Sequence, residues 1–315
     1  MAQAVTGTDA GAQGEIDLTG DPKRLRRERI IRGLFFAAAT LSIVISAGII
    51  LSLIFEAVNF LTAVDPAALV SDGWFPRRGL FDILTLLIGT LLVTLVAMVI
   101  AVPLGLGAAI YLSEYAKPRV RRIVKPILET LAGIPSVAIG FFALAWIAPN
   151  IISRFTSAST EFSMAAAGVG VGVLVIPLVA SVSEDAMRSV PNSLREASYG
   201  MGAKRVTTVT RVVLPAAVSG LIASFIIAAS RAIGETMVVA IAAGATGGSL
   251  RTFNVLGPGQ TMTAAMAALA TGTDQVRGAS VAFPSLFFVG LLLFLITAAL
   301  NLVAATFVRR VRQRY

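Results

Sequence analysis

Cysteine and histidine are both absent from the 315 residues. No disulfide framework, thiol nucleophile or zinc site is available, and the side chain that most often shuttles protons near pH 7 is missing. Charge is scarce as well: 14% of residues are charged, against about 25% in ordinary soluble domains. Nothing matches G-x-x-x-x-G-K-[ST], so the chain cannot bind and split ATP through a loop of that kind. What is abundant is apolar surface. Hydrophobic residues make up 56% of the chain, more than one water-facing core of this length can hide, so lipid must solvate much of it.

A bilayer core of roughly 30 Å takes about 20 mainly apolar helical residues. Six segments meet that length: residues 31–55, 84–112, 124–147, 162–182, 212–243 and 283–308, the third interrupted by Gly133 and Pro135. The predicted fold is all-α, a polytopic membrane protein with six transmembrane helices.

The lysines and arginines orient it. Lys23, Arg24, Arg26, Arg27, Arg29 and Arg32 flank the start of the first span, and Lys117, Arg119, Arg121, Arg122 and Lys125 follow the second. Arg188, Arg195, Lys204, Arg205 and Arg211 follow the fourth, and Arg309, Arg310, Arg312 and Arg314 close the chain. These twenty share one side, Arg77, Arg78, Arg154, Arg251 and Arg277 lie on the other, and Arg231 sits inside a span. The positive-inside rule puts the twenty, and both termini, in the cytoplasm. The net charge of +9 is thereby a topology signal, and nucleic acid is not an expected partner. Residues 1–29 read as a disordered cytoplasmic arm and residues 30–315 as the transmembrane domain. The first apolar run is too long for a secretory signal core and reads as a retained helix.

The loop between the fourth and fifth spans, residues 184–211, is the most informative. Its middle reads Val190-Pro191-Asn192-Ser193-Leu194-Arg195-Glu196-Ala197-Ser198-Tyr199-Gly200-Met201-Gly202-Ala203, and a basic run leads to Val212-Val213-Leu214-Pro215. Pro191 can open a short helix, with Ser193 also available as a cap. Gly200 and Gly202 permit a sharp turn into a second short helix from Lys204 to about Val213, and Pro215 marks the start of the fifth span. Such a unit is either a plain amphipathic connector or a knob that fits a groove on a partner.

The spacing resembles the EAA motif of bacterial ABC importer permeases: Glu-Ala-Ala, three residues, Gly, nine residues, Ile-x-Leu-Pro. The departures are Ser198 for the second Ala and Val212 for Ile. The resemblance implies the ABC importer type I permease fold. It also implies that the knob inserts into a cytosolic ATPase subunit, with Arg195, Glu196, Ala197, Gly200, Gly202, Leu214 and Pro215 as the coupling set.

The fifth span carries Ser230-Arg231-Ala232-Ile233-Gly234-Glu235-Thr236-Met237. A continuous helix places Arg231 and Glu235 on one face at i and i+4, with Gly220, Ser224, Ala228, Val238 and Ala242 within about 60° of Arg231 at 100° per residue. Arg231 and Glu235 form either a salt bridge that locks the bundle or a site where Arg231 offers a forked donor to a passing oxyanion. In the second case Glu235 holds Arg231 in place, or takes a proton from an anion that still carries one. These words are similar to the Arg-Ala-x-Gly-Glu-Thr signature of the phosphate importer's two permeases, and Met-Val-Val after the Thr is similar to the PstC-type subunit. Gly89-Thr90-Leu91-Leu92-Val93-Thr94, Pro103-Leu104-Gly105 and Leu131-Ala132-Gly133-Ile134-Pro135-Ser136-Val137 agree. One departure is Ala138-Ile139-Gly140, where the family usually has Tyr-Gly.

The resemblance implies a permease of the bacterial cytoplasmic membrane with a pathway through Arg231, Glu235, Ser224 and Thr236. Its implied partners are a PstA-type permease, two cytosolic ATPase subunits, an external phosphate-binding protein, inorganic phosphate and membrane lipid. No cofactor is expected on this chain, and ATP and Mg belong to the ATPase subunits. The alternatives are a sulfate or molybdate permease of the same superfamily and, from another class, an ion-coupled carrier. In the longest outward loop, Thr261–Ala270 reads as a short helix that packs on the bundle or meets a delivery protein. Trp74 and Phe75 read as interfacial aromatics.

Overall fold

The computed structural model describes residues 22–155, 161–244, 248–272 and 281–311. Most of the arm expected to be disordered, and Arg277, Arg312 and Arg314, lie outside them. The chain divides into two units, Met1–Ser52 and Leu53–Tyr315. Helix α1 (Pro22–Ala63) starts in the first unit. Residues 22–29, counted above with the disordered arm, are helical, with a proline at the first position, where a missing N–H costs nothing.

In the second unit a short hairpin, β1 (Trp74–Phe75) and β2 (Leu80–Phe81), pairs Trp74 with Phe81 and Phe75 with Leu80. Trp74 corrects the interfacial reading. It is fully buried, packed edge-on against Phe81, which meets Phe60 in the same way. A second backbone bridge to Ser249 holds it there, so the loops provide a small core of their own.

The helices follow in order: α2 (Ile83–Ile110), widening into a π turn at Tyr111–Tyr115; α3 (Pro118–Leu131); and α4 (Ser136–Phe142), which runs through a π turn into α5 (Ala148–Asn150). Then come α6 (Met164–Arg188), α7 (Asn192–Gly200), α8 (Arg205–Thr208), a π turn at Val209–Val213, and α9 (Leu214–Ile233). Short α10 (Met237–Ala242) and α11 (Met262–Ala270) precede α12 (Ala282–Val311). Six helical stretches among the described residues are long and apolar enough to cross a membrane: Arg26–Ala63, Ile83–Tyr115, Ser136–Arg154, Met164–Arg188, Arg205–Ile233 and Ala282–Thr306.

Three spans are bounded differently from the sequence reading. The third span begins at Ser136, because the Gly133–Pro135 interruption is a full break. Residues 124–131 belong to α3, whose charged face cannot enter hydrocarbon while Ile123, Ile127 and Leu131 repeat along the other face. The fourth span reaches Arg188, so Glu184 lies in a membrane helix and the loop starts only at Ser189.

The fifth span starts at Arg205, and Pro215 lies inside it. In the π turn the Leu214 N–H reaches back to the Val209 carbonyl. That extra width comes just before a proline whose ring would collide with the carbonyl four residues back. The same span ends at Ile233, so the face that was to include Val238 and Ala242 is broken, and both lie on α10.

The bundle closes around α2 and α6, which approach through small residues. A Cβ on Gly168 would lie 2.6 Å from Val96 Cβ, and one on Gly105 2.6 Å from Val179 Cβ. In lipid, such close backbone contact supplies the packing that hydrophobic burial supplies in water. Thr90 and Thr94 fold their hydroxyls back onto the Leu86 and Thr90 carbonyls at 2.7 Å, so α2 buries them without loss. Gly140, in the word that lacks the family's tyrosine, sits where a Cβ would be 3.1 Å from Val238 Cα on α10.

Candidate functional site

Depth along the bundle can be read from helix rungs. Ser183 of α6 and Ser224 of α9 share a hydrogen bond of 2.7 Å, and Gly220 faces Ala186 one turn nearer the α7 end. The two helices are antiparallel, so Arg231, seven residues beyond Ser224 and about 10 Å further at 1.5 Å per residue, is level with Ile176. That residue is the midpoint of Met164–Arg188.

At this depth the helix ends and the pair forms. Arg231 Nη1 donates to Glu235 Oε2 at 3.2 Å. The Arg231 side chain is 53% exposed and that of Glu235 only 4%. Glu235 is fixed through its backbone: its N–H reaches Ala232 O at 3.2 Å, and its carbonyl accepts from Thr263 Oγ1 of α11 at 2.7 Å. α11 is in turn seated on α2, since Met262 N–H donates to Thr90 Oγ1 at 3.0 Å and Gly89 lies against the Gln260 backbone. The Thr261 hydroxyl caps α11, and Met262, Ala264, Ala265 and Leu269 are buried. α11 thus packs into the bundle, and its residues form the floor on which Glu235 rests.

The other sequence-selected residues separate. Thr236 is half-buried beside the pair, its hydroxyl 3.4 Å from the Gly234 carbonyl. Ser224 is fully buried on its bond to Ser183, two turns from Arg231 along the same face of α9.

At the α7 end the EAA-like residues acquire distinct tasks. Pro191 is the residue before α7, with extended backbone, and no side chain caps that helix. The helix stops in a Schellman turn: Ala203 N–H reaches Ser198 O at 3.1 Å, Gly202 N–H reaches Tyr199 O at 2.9 Å, and Gly202 has φ of +78°. Only glycine takes that conformation without strain, which is the physical need for Gly at this spacing. Gly200 is simply the last helical residue. Glu196, Ala197, Gly200 and Gly202 are exposed, as are Tyr199 and Met201. Leu214 is half-buried and Pro215 exposed.

Arg195 points the opposite way. It donates to Glu114 Oε1 at 2.9 Å and Oε2 at 3.4 Å, to the Val190 and Met187 carbonyls at 2.6 and 2.9 Å, and to Asn192 Oδ1 at 3.4 Å. It therefore clamps α7 to the ends of α6 and α2. Ser198, where the family pattern has Ala, bonds the Thr208 hydroxyl of α8 at 2.9 Å. Arg205 stands over the Tyr115 ring, 5.2 Å from its centre.

Sequence reasoning missed three buried carboxylates: Glu114, Glu184 and Asp82. Glu184 meets Arg121 at 2.6 Å and Lys125 at 2.7 Å. Asp82, the N-cap of α2, meets Arg251 at 3.0 Å. Burial works against the charge of Lys125, but its hydrogen bonds to Asp185 and Glu184 outweigh this and raise its pKa. The signal available was an acid at each apolar margin; the hydrogen-bonding cations lie 59 to 169 residues away. Among the described residues no group of three His, Cys, Asp or Glu side chains could hold a metal.

The family described as "Binding-protein-dependent transport system inner membrane component" matches residues 101–314. The probable ABC transporter permease protein YqgH of Bacillus subtilis is 35% identical over 224 residues, covering 69% of this chain and 72% of that protein. The phosphate transport system permease protein PstC 1 of Mycobacterium tuberculosis is 32% identical over 263 residues, 77% of each chain. Among solved structures, a bacterial ABC transporter involved in import of the acidic polysaccharide alginate superposes with a TM-score of 0.58 at 15% identity. That match covers 92% of this chain and all of the other.

Proposed function

The chain belongs to the binding-protein-dependent transport system inner membrane component family, and from that premise we propose that it is the PstC-type subunit of a phosphate importer. It is a multi-pass membrane permease subunit of an ABC importer. In our reading it pairs with a PstA-type permease and two cytosolic ATPase subunits, which carry ATP and Mg, and an external phosphate-binding protein delivers inorganic phosphate. It sits in the bacterial cytoplasmic membrane with both termini inside, so that α7 faces the ATPase subunits. The chain supplies no ATPase site of its own, and the assembled complex is the ATPase.

The observation that carries the substrate reading is the asymmetry of the mid-depth pair, an arginine half exposed beside a carboxylate that is not. Charge facing hydrocarbon costs at least about 2.5 kcal/mol, so Arg231 belongs against a second permease or a water-filled path. There its planar fork suits an oxyanion. Glu235 repels a fully ionised anion such as sulfate or molybdate, but it can accept a hydrogen bond from phosphate, which still carries a proton near neutral pH. Thr236 stands next to the pair, and Ser224 lies two turns back along the same face of α9, bonded to Ser183. The exposed face of Glu196, Ala197, Gly200 and Met201 is the docking surface, and Arg195 transmits its motion into α2 and α6 through Glu114.

The test is phosphate uptake by the complex reconstituted with its partner subunits. Arg231→Gln abolishes uptake with the ATPase subunits still bound, and Glu196→Lys abolishes uptake and also weakens their binding. Normal uptake by Arg231→Gln would overturn the pathway role, and sulfate uptake without phosphate uptake by the wild type would overturn the substrate.

A further inference from the structure

Between the α7–α8 knob and the bundle lies a polar cleft of about 320 Å³, lined by Ser113, Glu114, Arg188, Asn192, Arg195, Tyr199 and Arg205. Three guanidinium groups face one carboxylate. Arg195 and Glu114 neutralise each other, and Arg195 spends its remaining donors on backbone carbonyls and Asn192. Arg188 and Arg205 are left in excess. Arg188 approaches Glu184 only to 3.9 Å, beyond hydrogen-bond distance, and that carboxylate already has Arg121 and Lys125. Among the described residues Arg205 has only the Tyr115 ring. Among the described residues the Tyr199 hydroxyl and the Asn192 amide nitrogen have no hydrogen-bond partner, so the cleft adds two neutral donors to two unneutralised cations.

Arg188 and Ser113 also line a second cleft of about 570 Å³ that continues under α3, with Arg121, Arg122 and Lys125 on its wall and Glu129 as the carboxylate there. The two spaces meet at Arg188. Forked donors with excess positive charge, in a recess too small for a macromolecule, match a phosphate group.

We propose that this recess binds a phosphate group, from inorganic phosphate or from an anionic lipid headgroup, wedged between knob and bundle. Arg188 and Arg205 hold it, with Tyr199 and Asn192 completing the contacts. Because Arg188 ends α6 while Tyr199 and Arg205 belong to the knob, an occupant ties the docking surface to the bundle and restrains its swing. The inference rests on the reading above only in placing this end in the cytoplasm.

The test is hydrogen–deuterium exchange on the complex with its partner subunits in nanodiscs, a binding readout that does not involve uptake. One arm adds millimolar inorganic phosphate in zwitterionic lipid, and the other replaces part of that lipid with phosphatidylglycerol in phosphate-free buffer. The expected result is slowed exchange across residues 188–208 in at least one arm, and the arm identifies the source. Arg188→Gln and Arg205→Gln each shift the midpoint of the phosphate or lipid titration by about tenfold, while Arg188→Lys recovers part of the protection. No protection in either arm overturns the site, as does protection that both glutamine variants retain. If the substrate assignment alone is wrong, uptake fails while this protection persists.

Discussion

Glu184 and Glu235 are both closed off from solvent, yet they are served differently. Glu184 is met by Arg121 and Lys125 from α3, with Arg188 just beyond, and Glu114 receives two guanidinium bonds from Arg195. Among the described residues the Glu235 carboxylate has Arg231 alone, through one hydrogen bond, and that arginine stays half exposed. At the α7 end Glu184 lies among several cations and Glu114 takes two bonds from one largely buried arginine, so the charges are spent holding helices together. At mid-depth the carboxylate is the fixed element and the cation is presented outward. Burial of the acid is common to both ends, and what separates the pairs is the exposure of the cationic partner, 14% for Arg195 and 53% for Arg231.

The comparison breaks most visibly at Glu184. Glu184→Ala takes away the carboxylate that Arg121 and Lys125 share and leaves Lys125 with Asp185, and removing one member of a buried pair costs about 3–5 kcal/mol. The expected outcome is a large loss of thermal stability in detergent, with α3 becoming accessible to protease. An unchanged melting temperature would mean that this network holds nothing together.

Glu235→Gln separates the two kinds of pair. Because Arg231 is more than a third exposed, the stability change is about 1 kcal/mol or less. Phosphate uptake nevertheless falls by about tenfold or more, equivalent to ~1.4 kcal/mol on the transport barrier. A protein as destabilised as Glu184→Ala would show that Glu235 is a structural lock.

The smallest effect sharpens the α7-end side and comes from Lys125. Its pKa is raised by Asp185 and Glu184 against the opposing effect of burial. A lysine raised in the folded state contributes stability that is fully present below its unfolded value, about 10.4, and is lost as pH rises through the higher folded value. Thermal stability should therefore hold through neutral pH and decline only in the alkaline range, and Lys125→Met should remove that component. A decline already present near neutrality would assign the alkaline loss to another group.

Much of the architecture was legible because it follows from local rules. Apolar length located six spans, the Gly-Pro interruption marked the break before Ser136, and glycine at 202 signalled the turn that its φ of +78° now explains. The reading failed where a helix met tertiary context. Pro215 signals a helix start, yet a π turn lets the helix run through it, and Trp74 signals an interface, yet the hairpin and Ser249 enclose it. The Arg231–Glu235 pair was visible as an i,i+4 spacing. That it lies across the end of a helix, with its acid propped on α11, was not.

The sequence by itself determined the solvent, the number of crossings and the identity of the charged pair, because hydropathy and residue spacing act within a single helix. Only the tertiary structure decided which carboxylate meets which cation, since Glu114 finds Arg195 and Asp82 finds Arg251 across 81 and 169 residues. It also decided which guanidinium is left facing outward. A charge in an apolar bundle takes its role from the groups that packing brings beside it, and packing is a property of all the helices together.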